Sequence, residues 1–70
     1  MIALKKGIYR HYKGNLYMLI DVARHSETLE EMVVYRALYG KCDLWVRPLR
    51  MWNEEVVFNG ITVKRFEFIE

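Results

Sequence analysis

The run Arg24-His25-Ser26-Glu27-Thr28 sets a base, a nucleophile and a carboxylate side by side. Catalysis needs such groups within mutual hydrogen-bond reach, with the base oriented by a third partner. Neighbours in an extended chain point apart, so adjacency in sequence argues against a triad. Two readings of the run stand. Its side chains either bond their own backbone or a cap, as short polar residues do, or they present donors and acceptors to a ligand. No residue is assigned a catalytic role, and the chain is not expected to be an enzyme. An enzyme or small-ligand sensor built on this loop is the remote alternative.

The other reactive side chains are isolated. His11 lies in an apolar segment beside Tyr9 and Tyr12 and is read as half-buried and hydrogen-bonded. Cys42 is the one cysteine, so no disulfide forms within the chain. It falls in a turn with no histidine nearby in sequence, which marks an inert or mildly exposed thiol. One cysteine with His11 and His25 makes a poor zinc set, so neither a metal nor a cofactor is expected. The aromatics Tyr9, Tyr12, Tyr17, Tyr35, Trp45 and Trp52 suit a core, because small domains need volume. Arg36, Arg47 and Arg50 lie near them in sequence. An exposed patch of rings and arginines would suit a proline-rich peptide or a single nucleic-acid strand. The candidate binding set is therefore Arg24, His25, Ser26, Glu27, Thr28, Tyr35, Arg36, Trp45 and Arg47. The loop is expected to stand close to Tyr35, Arg36 or Arg47, because it joins two antiparallel segments.

The elements that would position these residues are short strands. Ile8 to Tyr12 and Leu16 to Ala23 flank Lys13-Gly14-Asn15, a tight turn, and should pair as a hairpin. Met32 to Leu38 is β-branched and aromatic at its centre. Tyr39 to Asp43 is a turn, and Leu44 to Arg47 a fourth strand ended by Pro48. Between Arg24 and Glu31 the spacing of Thr28 and Glu31 allows one helical turn, with a plain loop as the alternative. Leu49 to Asn53 lacks alternation and fits a short 3₁₀ turn. Glu54 to Phe58 and Ile61 to Lys64 flank Asn59-Gly60, the strongest hairpin signal in the chain. Ile61 and Val63 are apolar at odd positions, Phe66 and Phe68 at even ones. A strand has period two, so either a bulge near Lys64-Arg65 or a separate last element is required. Short strands at close spacing, several apolar on both faces, predict an all-β fold: a small SH3-like barrel of five or six short antiparallel strands spanning residues 1–70 as one domain.

Composition limits the partners. Eleven basic residues face nine acidic ones, a net charge of +2 without a basic run, which is too mild a balance to imply nucleic acid. No apolar run approaches a membrane span, and the first residues lack the features of a signal peptide, so a cytoplasmic location and no membrane partner are expected.

Gly7-Ile8-Tyr9-Arg10-His11-Tyr12-Lys13-Gly14, Ala23 to Glu31, Val33 to Gly40 and Leu44 to Leu49 together resemble a family of short bacterial proteins. That family is catalogued as a domain of unknown function, number sixteen-fifty-three. The resemblance runs from about Leu4 to Ile69. The family's pattern has a glycine-rich turn where this chain has Gly40-Lys41-Cys42-Asp43, so Cys42 looks like a local substitution. The resemblance implies a small β domain and no known activity. The leading functional reading is a non-catalytic binding or accessory module that recognises a protein segment or another domain. The alternative is a nucleic-acid-binding domain of the same architecture.

Overall fold

A computed structural model describes residues 4–70. The chain forms seven short strands and one helical turn: β1 (Gly7–His11), β2 (Leu16–Arg24), β3 (Glu31–Ala37), β4 (Leu44–Pro48), α1 (Leu49–Trp52), β5 (Glu55–Phe58), β6 (Ile61–Lys64) and β7 (Phe66–Phe68). Every pairing is antiparallel. Five strands make one sheet in the order β4-β3-β2-β1-β7, and β5 and β6 make a separate hairpin. The fold is a small all-β domain, as the segment pattern predicts. It has seven strands rather than five or six because the tail is its own element: β6 pairs with β5, whereas β7 crosses to β1. That exchange resolves the phase break between Val63 and Phe66. No ladder joins β4 to β7 among the described residues, so the sheet is left with two edges.

Turn chemistry explains the hairpins. Asn59 and Gly60 take φ of 54° and 77° between the paired residues Phe58 and Ile61. Both central residues of a type I′ turn need this left-handed backbone, which asparagine tolerates and glycine adopts freely. The first turn closes with the His11 amide donating to the Asn15 carbonyl at 2.8 Å. Gly7 answers a different demand. A Cβ there would stand 2.6 Å from the backbone oxygen of Glu70, which itself accepts from the Ile8 amide at 2.8 Å. The end of the chain can dock beside β1 only over a residue without a side chain.

The sheet bends at a bulge. Leu19 faces Tyr35 and Asp21 faces Val34, so Ile20 is an extra residue without a partner. The extra residue turns both Leu19 and Val22 toward the core, three positions apart where a regular strand would allow two or four. The core lies on the face that the bend encloses: Tyr9, Leu19, Val33, Tyr35 and Phe66 from the sheet, and Trp52 from α1. Between β2 and β3 no helix begins at Thr28; the stretch is a loop with one turn closed by the Leu29 amide on the His25 carbonyl. The stretch after Pro48 is a single α-turn where the sequence suggested 3₁₀.

Gly60→Val should lower stability by on the order of 1 kcal/mol or more, since a β-branched side chain opposes positive φ. An unchanged thermal midpoint would contradict the turn geometry.

Candidate functional site

The polar loop is occupied with its own backbone. Arg24 Nη1 donates to the Leu29 carbonyl at 3.0 Å. His25 Nδ1 accepts from the Glu27 and Thr28 amides at 3.1 and 3.4 Å. Thr28 Oγ1 accepts from the Glu30 amide at 3.2 Å, and the His25 carbonyl accepts from Leu29, which takes φ of 62°. The ion pair between Glu30 Oε2 and Arg50 Nε, 2.9 Å, ties the loop to α1. A shallow cleft of about 400 Å³ lies at this junction, lined by Glu30, Glu31, Leu49, Arg50 and Asn53. Composition could not reveal these bonds, because the returning turn at Leu29 creates them.

The remaining candidates separate. Tyr35 is buried, and its hydroxyl accepts from Arg47 Nε at 3.4 Å. The Arg47 guanidinium also lies over the Phe66 ring, 5.5 Å from its centroid. Arg47 faces Val33, two residues from the start of β3, so it is the arginine on the loop's side. Arg36 is at the other end of β3, five residues from Glu31 and on the opposite face from Tyr35. Its Nη1 donates to the Cys42 carbonyl at 2.9 Å. Arg36 therefore does not meet the loop. Trp45 stands opposite Tyr35 but beyond the rim of the core, about half exposed. Thus β4 gathers Trp45 and Arg47, and the loop forms a second, separate group.

The β4 edge is an open apolar surface. Leu44, Trp45 and Val46 are 52%, 53% and 61% exposed. The Ala37 amide donates to the Asp43 carbonyl at 3.0 Å, which sets the parity of the ladder. The backbone groups of Asp43, Trp45 and Arg47 face β3, and those of Leu44 and Val46 face away from the sheet. No described strand lies on that side. Residue type gave no warning of this, since Leu-Trp-Val reads equally well as a central strand. Leu44 and Val46 also continue an outer face that carries Met18, Ile20 and Val34.

A second cleft, about 380 Å³, opens between Lys5, Tyr9, Trp52, Asn53, Lys64 and Phe68. His11 is half-buried and lines a third, of about 190 Å³, with Tyr12, Phe58 and Val63; its ring is 5.0 Å from Phe66. Its Nδ1 accepts from the Lys13 amide at 3.2 Å, which requires the unprotonated nitrogen. Burial first, then the charges of Arg47, Arg65 and Lys13, hold its pKa below the usual 6.5. Burial and the 2.7 Å contact with the Tyr39 hydroxyl push Tyr17 up to about 12. Among the described residues, no three of His, Cys, Asp and Glu gather closely enough to hold a metal ion. No helix there is long and apolar enough to cross a membrane.

The model of a family described as a protein of unknown function, DUF1653, matches residues 7–68. The chain belongs to the DUF1653 family. A crystal structure of a DUF1653 protein from Bordetella bronchiseptica is 40% identical to this domain and superimposes with a TM-score of 0.88. The match covers 94% of this chain and 87% of that one. No curated protein matches the DUF1653 domain described here.

Two outcomes follow. His25→Ala should cost about 1 kcal/mol by freeing two loop amides, and His25→Asn should restore most of it through its side-chain oxygen. Equal melting of all three proteins would contradict the capping role. His11 binds protons less readily in the folded chain than in the unfolded one, so stability should fall as pH drops below about 6.5. Denaturant titrations at several pH values should show that component vanish in His11→Gln.

Proposed function

We propose that this DUF1653 domain is a non-catalytic binding module that takes up an extended protein segment as an added strand along β4. One observation carries the reading: among the described residues β4 is an uncovered edge, with apolar side chains on both faces and no backbone partner at Leu44 and Val46. Sheet edges in stable domains are normally shielded by charge, proline, a bulge or a covering element. The centre of β4 has none of these. An added strand would gain main-chain hydrogen bonds from the edge, and alternate side chains would read Trp45 and Arg47 on one face, Leu44 and Val46 on the other. The bent sheet on a single aromatic core supports an SH3-like, half-open barrel as the scaffold. An exposed free thiol at Cys42 is consistent with a cytoplasmic setting.

Selection from a displayed library of random peptides tests the reading. Recovered ligands should protect the Leu44 and Val46 amides from hydrogen exchange. Val46→Pro should weaken them by about tenfold or more while leaving the fold intact, because proline is accepted where the amide faces solvent at an edge. Ligands indifferent to Val46→Pro would overturn the assignment. If single-stranded oligonucleotides bind instead, with affinity falling steeply as salt rises, the nucleic-acid reading replaces it.

A further inference from the structure

We infer that the strand added to β4 is β4 of a second copy of this chain, paired antiparallel with the two Trp45 residues opposite each other. The inference rests on the edge-binding reading and names its partner. It follows from parity, hydrogen-bond supply and charge.

A two-fold axis perpendicular to the sheet makes an edge pair with itself. Core-face residues then meet core-face residues only if the axis passes through a residue and not between two. Any residue of β4 satisfies this, but an axis through Leu44 runs the pair into the Lys41-Cys42 turn and one through Arg47 or Pro48 into α1, which leaves Trp45 and Val46. With the axis at Trp45, Leu44 lies opposite the partner's Val46. Both residues turn their backbone groups outward, so they exchange amide and carbonyl, and symmetry repeats the exchange. All the outward groups of Leu44 and Val46 are then satisfied in both copies. With the axis at Val46, Leu44 lies opposite the partner's Pro48, which has no N–H to give, and the Leu44 carbonyl is left unpaired.

Charge selects the same register. The Trp45 axis sets Asp43 opposite the partner's Arg47, twice. The described residues give neither side chain a salt-bridge partner within its own chain: the ion pairs there are Lys6–Asp21, Arg50–Glu30 and Arg65–Glu54. Arg47 is already oriented by Tyr35 and Phe66, so its placement costs little further entropy. With the axis at Val46, Arg47 faces the partner's Trp45 and Asp43 faces the partner's Leu49.

The outer face gains as well. Leu44 and Val46 of both copies would meet across the seam on the outer face of a ten-stranded sheet, beside Val34 and the charged Arg36 of the same face. Strand addition between β4 and the other edge, β7, would be head-to-tail, and β7 offers only three residues.

Cross-linking tests the register. In a Cys42→Gly background, which suits the φ of 56° at that position, Trp45→Cys puts two thiols at a non-hydrogen-bonded pair, close enough for a disulfide. Mild oxidation should convert Trp45→Cys to covalent dimer several-fold more than Val46→Cys, whose thiols are offset in this register. Sedimentation of the unmodified chain from about 10 μM to about 1 mM, the range of weak interfaces, should show the mass rise toward two chains. Asp43→Lys should weaken that association by about tenfold through its like charge on the partner's Arg47. A chain that stays monomeric throughout, or equal cross-linking of the two cysteine variants, overturns the inference. If such a monomer still binds library peptides in a Val46→Pro-sensitive way, the edge-binding reading survives without it. If the dimer forms but persists in Val46→Pro, the interface lies elsewhere and the inference fails.

Discussion

Trp52 and Phe66 stack face to face at 3.7 Å with their planes 4° apart, and the remaining structure is arranged around that contact. Tyr9 and Tyr35 meet the indole edge-on at 5.3 and 5.0 Å. These four rings come from α1, β7, β1 and β3, elements distant in sequence. A four-residue helical turn has no stability of its own, and a three-residue strand has little more. Each is held because it carries one ring of the cluster. A chain of this size has few buried side chains to spend, and rings bury the most area for each residue fixed. Trp52 is 1% exposed, so truncating it would leave a cavity that the sheet cannot close.

The same cluster organises the polar groups beside it. Arg47 lies over Phe66 and donates to Tyr35, so a strand at the margin is anchored through its arginine. His11 packs edge-on against Phe66, and burial first, then the cations near it, hold its pKa down. One ring thus fixes where β4 lies, and its burial couples proton uptake at His11 to folding.

Satisfying the core leaves β4 exposed. The bend at Ile20 wraps the sheet around the rings, and α1 continues directly from Pro48 into the core rather than across the edge. Trp45 consequently falls outside the rim although it points to the same face as Tyr35. Structural likeness to the Bordetella bronchiseptica protein extends over nearly the whole chain, so the overall fold is shared with that relative. In the strand-addition reading proposed above, the apolar side chains of this edge are what an added strand would cover.

Features set by a few neighbouring residues were legible in the sequence. Asn59-Gly60 announced its turn because positive φ is a property of those two residues. Lys13-Gly14-Asn15 did the same, and the phase break before Phe66 required either a bulge or a new element. Family membership was legible in the segments from Gly7 to Leu49. The number of strands was not, because β7 exists only by pairing with β1. Nor could composition separate Trp52 from Trp45, or Arg47 from Arg36: each pair is chemically alike, and only register and the bulge at Ile20 put one member in the core cluster and the other outside it. The Arg24-Thr28 loop shows the same divide. Its residue types fitted either a ligand or a cap. Only the return of the chain at Leu29 brought the amides of Glu27 and Thr28 to His25. Local backbone chemistry travels with the sequence, whereas exposure and edge position belong to long-range pairing, which no short segment encodes alone.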